Sequence, residues 1–355
     1  MTVYYVMLLA LLMLANVRLR PDRDRLLWGL AWILLVLFVG LRDHVGMDWN
    51  NYLHMTRWIE IYDWQRSLER AEPGYVLLTE ISLQLGFGVY GVNLVVAMIF
   101  VSGLFSLCRV TGNKWLALAV AYPILIVVVA NSATRQAAAI GILLWLVGSW
   151  RSLGTTVRIL AVLAAASFHY SALAYMGFVA FDSNRSVAVK LLLIAAVLLV
   201  TGYLVFRLEA RTRYLETYVL AQRARVISPG AALHVILNAV PAAILLLYRR
   251  HWSYLVPSRI VYYLAILTLI LLPLSLFYST AAGRLSYYLF PVSVCVFAAL
   301  PGAFTPGRGR AVVSLLVSVG LVLQLWVWLN FANNRRGYIP YDNLLFAQSG
   351  AAHVH

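Results

Sequence analysis

Charge is scarce in this chain. Only 12% of its 355 residues are Asp, Glu, Lys or Arg, where a soluble domain carries about a quarter. Acids are the rarer sign, 13 against 28 Lys and Arg, and Lys114 and Lys190 are the two lysines. Cysteine is nearly absent: Cys108 and Cys295 both lie within or at the end of apolar stretches, which excludes a disulfide framework, a CxxC pair and a cysteine metal site. No Lys or Arg precedes the first apolar run (Tyr4–Val17), whereas RLRPDRDR follows it. A cleavable signal peptide has the opposite order of charge. Internal repeats, low-complexity linkers and a soluble domain are also missing. The net charge of +15 is scattered through short loops and offers nucleic acid no basic face.

What is present suits hydrocarbon. Hydrophobic residues make up 63% of the chain and the mean hydropathy is +0.82. The expectation is an all-α, polytopic integral membrane protein forming a single domain over 1–355, with about 12 transmembrane or half-length helices (range 10–13). The apolar runs fall at roughly 2–17, 26–41, 89–107, 115–130, 136–150, 157–168, 170–181, 189–206, 231–247, 260–278, 285–300 and 311–331. Splitting 157–181 at His169 puts 15 of the 28 Lys and Arg, both lysines among them, in the loops of one face with three acids. By the positive-inside rule that face is the cytoplasmic one, and both termini lie on the other. Reading 157–181 as one span would invert everything after it.

Two external segments are expected, at about 42–88 and 207–230. In the first, EPGYVLLTEISLQLGF reads as an amphipathic helix lying at the interface or folding back, with apolar residues at 76, 77, 78, 81, 83 and 85 and Glu80 and Gln84 on the other face. In the second, 207–228 has seven charges and no Gly or Pro, which reads as an external helix covering the site.

Five polar clusters then fall on one side of the membrane: RDHVGMDWNNY, NSATRQ, FHYS, GRLSYY and NNRRGYIPY. Charged and titratable groups are costly at the edge of hydrocarbon, so five from dispersed stretches suggest one external-face cavity. Arg42, His44 and Asp48 supply an anion binder, a base and a carboxylate, with His44 and Asp48 spaced to share a helical face. Arg135 has almost no loop around it and would pair with a carboxylate, bind an anionic ligand or reach lipid phosphate. His169 marks a break between half-length helices. Arg284 and Arg335–Arg336 repeat the theme of arginine at an external segment end. Tyr287, Tyr338 and Tyr341 suit either an aromatic belt or sugar stacking. Arginine forks for phosphates, rings for sugars, and Asp48 or His169 to deprotonate a hydroxyl together fit a lipid-linked diphosphate sugar.

RDHVGMDWNNY, EPGYVLL, NSATRQAAAI, FHYSALAY, GRLSYY and YIPYDNL, in that order between residues 42 and 343, resemble the EpsG family of Wzy-like polymerases of bacterial exopolysaccharides and O-antigens. The resemblance implies a GT-C-like glycosyltransferase of the bacterial inner membrane. It would join polyprenyl-diphosphate-linked oligosaccharide repeat units at the external face, with a flippase and a chain-length regulator as companions. Residue by residue it marks Arg42, Gly46, Asp48 and Tyr52, then Glu72 and Pro73, Arg135 and Gln136, His169 and Ser171, Arg284, and Tyr341. His44 has no counterpart in that pattern. No external Asp-x-Asp pair is present, so a metal-independent reaction with no cofactor is expected.

On this reading Arg42, Arg135 and Arg284 bind the diphosphate. Asp48 or His169 acts as base, Asp48 slightly preferred because Arg42 could keep it ionised. His44, Tyr52, Glu72, Gln136, Ser171, Tyr287 and Tyr341 line the sugar side. The rivals are a flippase of the same lipids, which needs access from both faces, an O-antigen ligase, which shares the chemistry and differs in acceptor, and a membrane O-acyltransferase, whose histidine belongs at the inner face.

Overall fold

Backbone buried in hydrocarbon must satisfy its own N–H and C=O groups, and helix is the way an uncharged run of Leu, Val, Ile and Ala does so. The structure, a computed structural model, describes residues 1–211, 229–249, 256–275 and 279–346, and these are almost entirely helical. Helix α1 (Thr2–Asn16) is followed by α2 (Pro21–Gly40), which starts on Pro21 with Asp22 and Asp24 in its first turn, where the helix dipole favours acids. Three short helices fill the first segment expected to lie outside: α3 (Trp49–Ile61), α4 (Trp64–Ser67) and α5 (Pro73–Gln84).

Helix α6 (Gly88–Arg109) crosses α8 (Thr134–Ser149) at close range. A Cβ on Gly103 would stand 1.8 Å from the Gly141 carbonyl oxygen, and one on Gly141 would meet Phe100 Cα at 2.5 Å. Small residues at such crossings let membrane helices touch backbone to backbone. Between them α7 (Lys114–Ala121) widens at Pro123 into a π-helical stretch, Tyr122–Ala130, that delivers NSATRQ to the top of α8.

Helix α9 (Thr155–Ala166) turns at His169 into a 3-10 segment, Tyr170–Ala174, and then α10 (Tyr175–Phe181). Arg158 near the start of α9 donates to Asp182 just beyond α10 at 2.7 Å, and Trp150 Nε1 donates to the same carboxylate at 3.0 Å. The two halves therefore form a hairpin whose tip is His169, as the split expects. A second contact joins loops that the charge count puts on one face: Lys114 and Trp115 both donate to Asp24. The rest comprises α11 (Val187–Arg211), α12 (Pro229–Leu247), α13 (Ile260–Leu274), α14 (Ser279–Ser286), α15 (Pro291–Ala299) and α16 (Arg308–Phe331).

Among the described residues three helices are long and apolar enough to cross a membrane alone, within α6, α11 and α16. A bent pair, Ala282–Leu289 with Pro291–Ala303 at 46°, makes a fourth. Six further apolar helices are 10–17 residues long.

The structure corrects several expectations. Arg42–Asp43 is a strand, β1, paired antiparallel with Asp342–Asn343, β2, so the all-α chain contains one two-residue ribbon. His44 and Asp48 share no helical face: His44 and Gly46 hold φ of 50° and 108°, and the helix starts only at Trp49, with Asp48 as its N-cap. Gly46 is needed there twice over, because a Cβ would also stand 2.0 Å from the Asn131 carbonyl oxygen. The exposure of α5 differs too: Tyr75, Val76, Thr79 and Ser82 face inward, whereas Leu77, Ile81 and Leu85 are exposed. In a membrane protein apolar side chains can stay on an outer face, so burial does not follow the apolar pattern here. Arg284 sits in the last turn of α14 rather than ahead of a span. Of the second segment expected to lie outside, α11 continues to Arg211, and 212–228 fall beyond the described residues.

Gly103→Val is expected to destabilise the chain by about 2–3 kcal/mol through overpacking. Gly29→Val, with nothing within 4 Å of its Cβ, is expected to be silent. Unfolding midpoints of the two variants in detergent check this, and equal midpoints would contradict the tight crossing.

Candidate functional site

The EPG motif docks on the tip of the α9–α10 hairpin through its glycine. Gly74 N donates to the Ser167 carbonyl at 2.8 Å, and a Cβ on Gly74 would stand 2.4 Å from Ser167 Oγ. This seats the start of α5 against the tip and turns Glu72, its N-cap, inward. Glu72 is wholly buried. Its Oε2 accepts from Arg135 Nη1 at 2.7 Å, and its Oε1 meets His169 Nδ1 at 2.9 Å. The carboxylate thus bridges two groups 63 and 97 residues away in sequence.

Burial on its own pushes the Glu72 carboxyl up, but Arg135 and the His169 contact outweigh it and hold the group well below the carboxylate range, at about 2. An ionised Glu72 only accepts hydrogen bonds, so His169 Nδ1 is the donor in this contact and Nε2 points away from the carboxylate. The Arg135 and His169 side chains retain 20% and 22% exposure against 1% for Glu72. The two thus border open space with the carboxylate behind them.

A second group adjoins the first. Ser132 Oγ donates to Asp48 Oδ2 and accepts from Asp48 N, both at 3.3 Å. Tyr52 Oη accepts from Arg135 N at 3.2 Å, and burial raises its own pKa. Gln136 Nε2 donates to the Arg284 carbonyl at 2.9 Å. Ser171 Oγ donates to Tyr288 Oη at 3.0 Å. Tyr287 lies within electrostatic reach of both Arg284 and Asp48, and packs on His234 with ring centroids 5.3 Å apart. Arg284 itself is exposed. Asp48, Tyr52, Glu72, Arg135, Gln136, His169, Ser171, Arg284 and Tyr287 therefore meet at one end of the bundle.

Three sequence candidates stand apart. Arg42 is 2% exposed and donates to the Val39 carbonyl, Asn93 and Thr134 at 2.6, 3.1 and 2.8 Å. It ties α2, α6 and α8 together, and its salt bridge to Asp48 is not formed. Tyr341 donates to the Phe38 carbonyl at 2.7 Å and stacks on the Phe38 ring at 4.5 Å, which anchors the C-terminal segment to α2. His44 is exposed, pairs with Asp43 at 3.8 Å and leans on Trp49.

Sequence reasoning missed Ser132, Tyr288 and His234. Ser132 and Tyr288 lay inside clusters already recognised but carry no charge. His234 is buried with Nδ1 unpartnered among the described residues, and only its isolation in an apolar helix could have singled it out. Among the described residues no three His, Cys, Asp or Glu side chains gather to hold a metal ion.

The sequence model of the EpsG family matches residues 25–343. Neither a curated protein nor a solved structure matches the chain.

Because the Glu72 carboxyl sits below its ordinary value of 4.5 when folded, the stability it contributes is complete above that pH and fades as pH falls towards about 2. The wild-type unfolding midpoint in detergent is expected to drop across this window. In Glu72→Gln it should begin lower and change less. Parallel profiles would refute the bridging carboxylate.

Proposed function

This chain belongs to the EpsG family of polysaccharide-polymerase-like membrane proteins, and on that premise we propose that it is a glycosyltransferase acting on polyprenyl-diphosphate-linked oligosaccharide repeat units. The observation that carries the reading is the single buried carboxylate of Glu72 binding Arg135 on one oxygen and His169 on the other. An arginine and a basic imidazole held by one rigid group are what an acceptor hydroxyl and a departing diphosphate need side by side.

In the proposed reaction His169 Nε2 takes the proton of the acceptor hydroxyl as its oxygen bonds the anomeric carbon of the donor sugar. The bond from that carbon to the diphosphate oxygen breaks on the opposite face, which inverts the centre. The diphosphate leaves with the electron pair, and Arg135 and Arg284 stabilise its growing charge. Glu72 positions both partners. Of the two candidate bases the geometry favours His169: the Asp48 carboxylate accepts from Ser132, whereas His169 is oriented through Nδ1 by Glu72. Tyr52, Gln136, Ser171 and Tyr287 shape the sugar side.

The twelve-segment topology belongs to the same proposal. It sets this end of the bundle on the external face of the bacterial inner membrane, where assembled repeat units wait, with membrane lipid as the surroundings and the termini on that side. A flippase and a chain-length regulator are the expected companions. The arrangement calls for no metal.

His169→Gln keeps a donor for Glu72 but removes the base, and is expected to lower polymer formation by about 10²–10⁴-fold. Arg135→Lys keeps the charge beside Glu72 but loses the fork. In both, single repeat units should accumulate on lipid at the external face, while Asp48→Asn retains most activity. The lipid-linked glycan profile of cells decides. Full-length polymer from His169→Gln would remove the base assignment, and repeat units held on the cytoplasmic face would indicate a flippase.

A further inference from the structure

At the opposite end of α8 a cavity of about 480 Å³ is lined by Arg151, Arg249, Ser258, Arg259, Tyr262 and Tyr263. Arg151, just past the end of α8, follows Arg135 near its start by 16 residues, about 24 Å at 1.5 Å per residue. It is therefore not part of the Glu72 site.

Its charge is not balanced from within. Among the described residues none of the three arginines lies within ion-pair distance of a carboxylate. Between Glu216 and Asp342 the sequence holds no Asp or Glu at all, so neither α12 nor α13 supplies a counter-ion. The nearby Asp182 already holds Arg158 at 2.7 Å. Two hydroxyls point the same way. Ser258 is 2% exposed, and its Oγ and the Tyr262 Oη are buried without a hydrogen-bond partner among the described residues. Buried hydroxyls of this kind normally have one. Helix α13 begins at Ile260, so its positive end adds to the field.

We propose that this cavity binds the phosphate of an anionic phospholipid from the leaflet facing away from the Glu72 site. Basic pockets between membrane helices on the cytoplasmic side take such headgroups. Arginines draw the phosphate, and the Ser258 and Tyr262 hydroxyls donate to it. Leu246 and Ile266, which also line the cavity, give the glycerol and first methylenes an apolar shoulder. A free phosphate shares the polar chemistry and would leave that shoulder unused.

The test uses the full-length protein in detergent with phosphatidylglycerol, phosphatidylcholine or inorganic phosphate at matched concentration, read by unfolding midpoint and by lipid retained in native mass spectrometry. Phosphatidylglycerol should raise the midpoint and stay bound, and the other two should not. Arg259→Gln should weaken retention about fivefold, and Arg308→Gln, at the same end but outside the cavity, should leave it unchanged. Should Arg259→Gln fail to fold, Ser258→Ala and Tyr262→Phe keep every charge and must each still weaken retention. Equal retention of phosphatidylcholine, or equal loss in Arg308→Gln, would overturn the site. An equal shift with inorganic phosphate would overturn the lipid as its occupant.

Discussion

One carboxylate organises the polar end of this protein. Glu72 is wholly enclosed, and an enclosed charge survives only if its surroundings return what water would have given. Arg135 and His169 do so from two other parts of the chain. The dependence runs both ways. Without Glu72, Arg135 would stand as a lone cation at the start of an apolar helix, and His169 would have nothing to fix its tautomer. The close docking of Gly74 on Ser167 and the α9–α10 hairpin are the means by which the backbone brings the three together.

Around that centre the polar residues divide by role. Arg42 and Tyr341 direct their donors at carbonyl groups near the end of α2 and are closed off by their own hydrogen bonds. Arg135, His169 and Arg284 keep part of their surface open. Arginines that look alike in sequence thus differ in setting, one tying helices together and others keeping surface open. Exposure and partners separate them where residue type does not.

Much of this was legible in the chain. Scarce charge and long apolar runs give a helical membrane protein, and the interruption at Phe168–Ser171 gives the hairpin, because a titratable residue amid Ala and Tyr marks a break. That the five clusters belong together followed from loop parity. The role of Glu72 was not legible, since a pairing across 63 or 97 residues leaves no periodic trace. The inward face of α5 was not legible either, because apolar residues occur on both its buried and its exposed sides. The ribbon between Arg42–Asp43 and Asp342–Asn343 was equally hidden, two residues on each side being too short to register as a strand.

That ribbon belongs to a larger fastening. Tyr4 of α1 donates to the Tyr338 carbonyl, Gly46 N donates to the Gly337 carbonyl, and Asn343 donates to the Leu37 carbonyl. The first helix, the first polar loop and the segment 337–343 are thereby knotted at the same end as Glu72. During synthesis the membrane machinery releases the helices one after another, yet the loop carrying Asp48 gains its final support only after residue 343 has emerged. Assembly of the polar end thus waits for a segment about 300 residues downstream of the loop it supports.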